Sequence, residues 1–267
     1  MDISIIILTW NSEKYLSRCL DTLLFDLCSD RFYYEVFIVD NGSSDNTISI
    51  IKSFEVQYPH HIIPIYLSTN TGTTYSRNLA LKQAKGDYVI IMDSDIEICQ
   101  QGTIRRLLDT FYDKEIGLVV PKLLYSNGSL QKSTDDFPTL FTKVFRYLFL
   151  RWIEKREQSA TRSSGLTEVD YAISALWVLK KEVLKNVGLL DENIFYAPED
   201  VDYCLRIWLA GNKIVYNNEV SAIHHAQEIS RGLKIDRAAI NHIKGLVYYF
   251  KKHKYVLSRP RIHKKCN

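Results

Sequence analysis

The sequence predicts an α/β fold built on a mostly parallel, Rossmann-like sheet flanked by helices. Short apolar runs alternate with helix-periodic segments through roughly the first hundred residues, a pattern of right-handed crossovers between parallel strands. The runs are continuous rather than alternating, as strands covered on both faces are. With 267 residues, the chain can bury the core of one large α/β domain, or of a domain with an appendage.

Ile3 to Leu8 is the first strand, closing at Thr9-Trp10-Asn11-Ser12. Tyr15, Leu16, Cys19, Leu20, Leu23 and Leu24 then share one stripe of an amphipathic helix. Val36 to Val39 is a second strand, ended by the turn-rich run from Asp40 to Asp45. A helix over Thr47 to Tyr58, a strand over Ile62 to Leu67, a helix over Thr74 to Ala84 and a strand over Tyr88 to Met92 continue the alternation. The second half is less regular. Leu118 to Leu124 reads as a strand, Asn127-Gly128 as a turn, and Val169 to Leu179 as extended chain. Phe141 to Glu157 is aromatic and basic, and Gln158 to Thr167 a polar loop. Glu199 to Ala210 has helical periodicity, with Val201, Cys204, Leu205 and Trp208 on one face and Gly211 placed as a C-cap. Lys213 to Tyr216 reads as a strand, and the chain from Asn241 onward as a helix followed by a basic tail.

Composition excludes several classes. A formal charge of +3 is too slight for nucleic acid as the main partner. The charged fraction of 24% with 11 Gly and 6 Pro excludes collagenous and disordered chains. Cys19, Cys28, Cys99, Cys204 and Cys266 are never spaced C-x-x-C, which argues against a disulfide framework or a cysteine zinc site. The acidic start and short apolar run do not make a signal peptide, so a cytoplasmic location is expected. Phe141 to Ile153 interleaves Lys143, Arg146 and Arg151 with large apolar residues. The tail carries Lys251, Lys252, Lys254, Arg259, Arg261, Lys264 and Lys265. Together they suggest peripheral contact with anionic lipid at the inner face of the cell membrane. A core helix with snorkelling basic side chains is the alternative for the first segment.

In open parallel sheets, ligands bind beyond the carboxyl ends of the strands. The candidate positions are therefore Thr9 to Asn11, Asp40 to Asp45, Asn70 to Thr74, and Asp93-Ser94-Asp95. A crevice so rich in carboxylates repels a bare phosphate, so an anionic ligand requires a bridging cation. On extended chain Asp93 and Asp95 face one point and can seat Mn²⁺ or Mg²⁺, which in turn holds a diphosphate. A merely polar strand end is the structural alternative. Asp40 suits contact with a base or ribose, and Asp45 suits helix capping. Glu199, Asp200 and Asp202 open a helix, where acids meet the dipole and Asp202 can pair with Arg206. Alternatively, one of these carboxylates is a general base toward an acceptor hydroxyl. His224 and His225 point in different directions, so at most one is a ligand. There is no G-x-G-x-x-G, P-loop, H-E-x-x-H or G-x-S-x-G.

Five segments in a fixed order give a resemblance: SIIILTWNSEKYLSRCLDTL, FIVDNGSSDNT, NTGTTYSRNLALKQAKGDYVIIMDSD, GLVVPKLLYSNGSLQKS, and GLLDENIFYAPEDVDYCLRIWLAGNKIVY followed by two histidines. From Ser4 to about Arg231 the chain resembles the family-2 glycosyltransferases of the GT-A fold, especially their bacterial rhamnosyltransferase-like branch. The resemblance implies a base pocket lined by Thr9 and Asn11, a nucleoside contact from Asp40, and Arg77 and Asn78 facing the donor near its diphosphate. It implies metal ligation by Asp95 with Asp93 and His224, His225 remaining open by register. Glu199-Asp200 matches the family's acidic pair, with Asp200 as the base. Residues 1–98 are then the nucleotide-sugar half, 99–232 the acceptor half, and 233–267 a C-terminal helix and basic tail. The implied reaction is inverting transfer from a UDP-, dTDP- or GDP-sugar to a saccharide hydroxyl, with a lipid-linked acceptor in bacterial cell-surface polysaccharide synthesis. Two positions depart from the branch: Ser94 within the D-x-D, and Ser174 where Gly is frequent. A sugar-nucleotide nucleotidyltransferase would need a basic, glycine-rich loop, which the Thr9 to Ser12 turn does not offer. A non-catalytic sugar-nucleotide-binding module would have no use for the acidic pair beyond capping.

Overall fold

The computed structural model describes residues 1–139, 165–226, 237–260 and 262. The aromatic-basic segment 141–157 and tail residues Arg261, Lys264 and Lys265 lie outside the described residues. The first half follows the expected alternation: β1 (Ile3–Thr9), α1 (Leu16–Ser29), β2 (Tyr34–Asp40), α2 (Thr47–Gln57), β3 (Ile62–Tyr66), α3 (Thr73–Leu81) and β4 (Tyr88–Asp93). These strands lie in the order β3-β2-β1-β4, all parallel. Successive β1 side chains enter different cores. Ile5 and Ile7 pack with α1, α2 and Ile104, whereas Ile6 packs with Ala80, Val183, Val201 and Tyr249 on the other face. Burial on both faces explains the unbroken apolar runs.

The chain continues through β5 (Ile96–Glu97), α4 (Thr103–Asp109), β6 (Ile116–Leu124), β7 (Thr134–Asp135), β8 (Leu166–Glu168), β9 (Tyr171–Ala172), β10 (Leu176–Lys180), α5 (Lys181–Val187), α6 (Glu199–Leu209), β11 (Lys213–His224) and α7 (Arg237–His253). The main sheet extends as β4-β10-β6-β11-β5. β10 is antiparallel to both neighbours, while β11 is parallel to β6. The architecture is an α/β GT-A fold with a mixed, mostly parallel sheet.

Of the elements that differ from the sequence reading, three do so for a tertiary reason seen in their contacts. The extended stretch Val169 to Leu179 is split, because β9 pairs with β7 in a separate two-stranded sheet while β10 joins the main one. β11 runs on to His224 past a register shift between Asn217 and Ser221. There Asn217 donates to Thr110 Oγ1 (2.9 Å), an irregularity that hides the strand's period. The short helix α4 is held by Asp26 of α1, whose carboxylate accepts from Thr103 N (3.2 Å) and Ile104 N (2.9 Å). That cap comes from another helix, so no local signal announces it.

α7 locks the second half. Gly245 lies so close to the Ala197 carbonyl that any Cβ would collide with it. Lys252 Nζ bridges Asp191 Oδ2 and Asp202 Oδ1, each at 2.6 Å. Asp202 also accepts from His253 Nε2 (2.8 Å) and, as expected, from Arg206 Nε (2.9 Å). Burial pushes the Asp202 carboxyl up, but the His253 hydrogen bond and the Arg206 and Lys252 charges outweigh it and hold it below the usual range. A carboxylate so lowered stabilises the fold above about pH 4, and its contribution is lost as pH falls through the folded value. Lys252→Met is expected to cost about 2 kcal/mol at neutral pH. Thermal melts of both proteins at neutral and acid pH check this; the gap should narrow in acid.

Candidate active site

Asp93 ends β4, and Ser94 and Asp95 form a tight turn into β5, so the D-x-D leaves the extended chain after its first residue. Ser94, at its centre, is tied to the end of β1 by an Oγ–Oγ hydrogen bond to Ser12 (2.8 Å). The turn still brings the two carboxylates together. β5 pairs with the end of β11, opposing Ile96 to His224, and this register sets the imidazole beside Asp95, Nε2 to Oδ1 at 3.3 Å. One ligand atom from each of Asp93, Asp95 and His224 lies within 4.8 Å of the others.

The two histidines have different partners. His225 is held by Glu97 (Nε2 to Oε2, 2.9 Å) and Ser126 (Nδ1 to Oγ, 2.8 Å), and it stacks on Tyr15 with ring centroids 5.0 Å apart. His224 Nδ1 instead meets Gln131 Oε1 at 2.9 Å. With the amide oxygen accepting, Nδ1 carries the proton and Nε2 keeps its lone pair for a ligand.

The donor set suits a divalent cation of the Mn²⁺ or Mg²⁺ type. Two carboxylates supply hard oxygen, and one imidazole adds nitrogen. The electrostatics agree. Burial raises the Asp93 carboxyl against the opposing charge of Arg77, and the Asp95 charge raises it further. Burial disfavours the His224 imidazolium, yet the Asp95 hydrogen bond and the two aspartate charges outweigh it and raise its pKa. The point attracts positive charge.

Arg77 of α3 joins this cluster to the acidic pair. It is 2% exposed. Its Nη2 reaches Asp93 Oδ1 at 2.5 Å, its Nη1 donates to Ser174 Oγ at 2.8 Å, and Nη1 lies 3.8 Å from Glu199 Oε1. Ser174 Oγ in turn donates to Glu199 Oε1 at 3.1 Å. Burial, with the adjacent Asp200 charge, pushes the Glu199 carboxyl up to about 8 despite Arg77. Asp200 is half-buried at the start of α6 and accepts from Val201 N at 2.8 Å. The loop before α6 is fastened to α3 by Thr73 N to Phe195 O (2.7 Å) and Thr74 Oγ1 to Ile194 O (2.7 Å). Gly72 is required there, since a Cβ would strike the Phe195 carbonyl and its φ is +88°.

The expected polar pair at 77–78 separates. Asn78 Nδ2 donates to Leu190 O and Glu192 Oε1, both at 2.9 Å, and Oδ1 accepts from Leu190 N at 3.1 Å. Asn78 thus holds the 190–192 loop and does not stand beside the carboxylates, because its neighbour on the helix points to a different side. The nucleoside-side residues form one hydrogen-bonded unit. Asp40 is fully buried, accepting from Thr9 Oγ1 (3.3 Å) and Ser43 N (3.1 Å). Asn11 adopts φ 51° and accepts from Ser44 N at 2.8 Å, clipping the two turns together. Asp45 lies one residue before the N-cap Asn46, and its Oδ1 accepts from Thr47 N, the first residue of α2, at 3.0 Å.

Gln131 and Tyr196 escape the sequence reading of the site, and Ser174 enters it only as a departure from the family pattern, not as a contact. Tyr196 is 49% exposed, and the charges of Glu199, Asp93 and Asp200 help burial raise its hydroxyl pKa. Nothing local marks Gln131 or Ser174. They act on partners 93 and 97 residues away in sequence.

Comparisons with known proteins agree with this geometry. Residues 4–188 match the model described as Glycosyl transferase family 2. The chain is 25% identical over 240 residues to the dolichyl N-acetyl-alpha-D-glucosaminyl phosphate 3-beta-D-2,3-diacetamido-2,3-dideoxy-beta-D-glucuronosyltransferase of Methanococcus voltae, covering 87% of this chain and 70% of that protein. It is 27% identical over 208 residues to the uncharacterized glycosyltransferase YfnE of Bacillus subtilis, covering 78% of this chain but 46% of that one. Among solved structures, the mannosyltransferase PcManGT of Pyrobaculum calidifontis, in complex with GDP-Man and Mn²⁺, superposes with a TM-score of 0.64 at 20% identity, over 97% of this chain and 65% of that one. The matched family segment ends before α6, so the acidic pair and His224 lie beyond it.

Proposed function

Because the chain belongs to glycosyltransferase family 2, we propose that it moves a sugar from a nucleotide-diphosphate donor to a saccharide hydroxyl, with inversion at the anomeric carbon. The observation that carries this reading is the Arg77 bridge. One guanidinium touches Asp93 of the cation-seeking cluster at 2.5 Å and stands 3.8 Å from Glu199 of the acidic pair, so the two halves of a displacement site adjoin.

The turns at 9–11 and 40–44 receive the nucleoside, with Asn11 and Asp40 shaping the pocket. Asp93, Asp95 and His224 would hold the divalent cation, which when bound would supply positive charge to offset that of the donor diphosphate. Asp200 takes the proton of the acceptor hydroxyl as its oxygen bonds to the anomeric carbon from the face opposite the leaving diphosphate. Arg77 keeps Asp93 and Glu199 in register, and Ser174 closes the link between them. The acceptor fits the cell-surface glycan class, a reading supported by the dolichyl-phosphate sugar in the name of the Methanococcus relative.

Incubation with UDP-, dTDP- and GDP-sugars, Mn²⁺ and saccharide acceptors tests this. The expected product is free nucleoside diphosphate together with a glycoside of inverted configuration by NMR. Release of pyrophosphate, or donor binding without turnover across the panel, rejects glycosyl transfer.

A further inference from the structure

We propose that the outer face of α7 docks on an anionic lipid surface. The helix has two unlike sides. Tyr249 and Phe250 are buried in the core and Gly245 abuts Ala197. Flanking that buried side, Ile243 and Val247, one turn apart, are 65% and 64% exposed. Val256 and Leu257, just beyond the helix, are exposed as well. Lys244, Lys251 and Lys254 border these residues, exposed and without an ion-pair partner among the described residues. Their neighbours are engaged elsewhere: Lys252 bridges Asp191 and Asp202, and Arg259 pairs with Asp136 at 2.9 Å.

Charge selects the occupant. From residue 237 onward the sequence has nine Lys or Arg and no Asp or Glu, although the whole chain carries only +3. The preceding residues are therefore net acidic: the positive charge belongs to this C-terminal stretch of the sequence, and of it Lys244, Lys251 and Lys254 flank the exposed apolar side chains. Aliphatic side chains flanked by lysines match an interfacial helix, whose apolar residues enter the acyl boundary while the ammonium groups meet anionic headgroups. Across a two-fold axis, a second copy would set lysines against lysines. A dissolved polyanion would leave Ile243 and Val247 in water. No helix among the described residues is long and apolar enough to cross a membrane, so the contact is with the surface. If the proposed transfer reaction holds, the docked helix also places Ala197, at the entrance to α6 and its acidic pair, about one helix diameter, roughly 10 Å, from the lipid, as an acceptor carried on lipid requires.

Co-sedimentation of the full chain with vesicles of phosphatidylcholine, with and without phosphatidylglycerol, tests the docking. The variants are Ile243→Ser with Val247→Ser, and Lys244→Gln with Lys251→Gln and Lys254→Gln; all replace exposed side chains, and unchanged melting temperatures verify their folds. Binding is expected to the mixed vesicles only. It should weaken in salt, fall roughly fivefold per lysine removed, and fall at least tenfold in the aliphatic variant. Failure of the parent chain to sediment with anionic vesicles, or sedimentation of either variant like the parent, overturns the proposal. So does a dimer, by light scattering, that the aliphatic variant dissociates. Nucleoside diphosphate release with a water-soluble acceptor should be the same in all three proteins. Vesicle binding is read without turnover, so failure of docking and failure of the transfer reaction are separate results.

Discussion

Asp95→Ala is expected to reduce kcat/KM by about 10³-fold and to weaken donor binding, the scale of losing a cation worth several kcal/mol in the transition state. Asp95 is the informative position because its side chain faces His224 rather than a cationic residue of its own. Asp93 is already paired with Arg77, so its removal would also leave that buried guanidinium uncompensated and confuse chemistry with folding. In Asp95→Ala the surrounding strands keep their packing, and the melting temperature without metal should stay near that of the parent. Titration of the parent with Mn²⁺ should raise both donor affinity and turnover, and EDTA should reproduce the variant. Full activity in chelator would reject the cation's role and leave the fold untouched.

Asp200→Asn is expected to cost 10²- to 10⁴-fold in kcat, roughly the worth of a general base, with little change in the KM for donor. The assignment to Asp200 rather than Glu199 follows from their surroundings. Glu199 is buried, receives the Ser174 hydroxyl, and is pushed up to about 8, so it holds its proton near neutral pH. Asp200 is half-buried in the first turn of α6, where the helix dipole favours the carboxylate. Glu199→Gln preserves an acceptor for Ser174 and should lose far less activity than Asp200→Asn. The opposite order would transfer the base role to Glu199, and normal turnover by both variants would remove the pair from the chemistry.

Both predictions rest on contacts of unequal visibility in the chain. The strands β1, β2 and β4 are legible because burial on both faces demands unbroken apolar runs such as Ile5-Ile6-Ile7. The carboxylates at their ends follow from where parallel strands stop, and the family resemblance extends to the acidic pair and the histidines. The sequence therefore determines the sheet's first half, the sheet edge where the acidic cluster gathers and the residue types found there. It leaves the rest to packing. Ser174 links Arg77 to Glu199, Gln131 orients His224, Glu97 withdraws His225, and Lys252 fastens α6 through Asp202. Each of these joins residues far apart in the chain, where a side chain's partner depends on register and crossover rather than on its neighbours. Local periodicity records which face of an element is buried; which polar group then meets which other is decided only when the layers close.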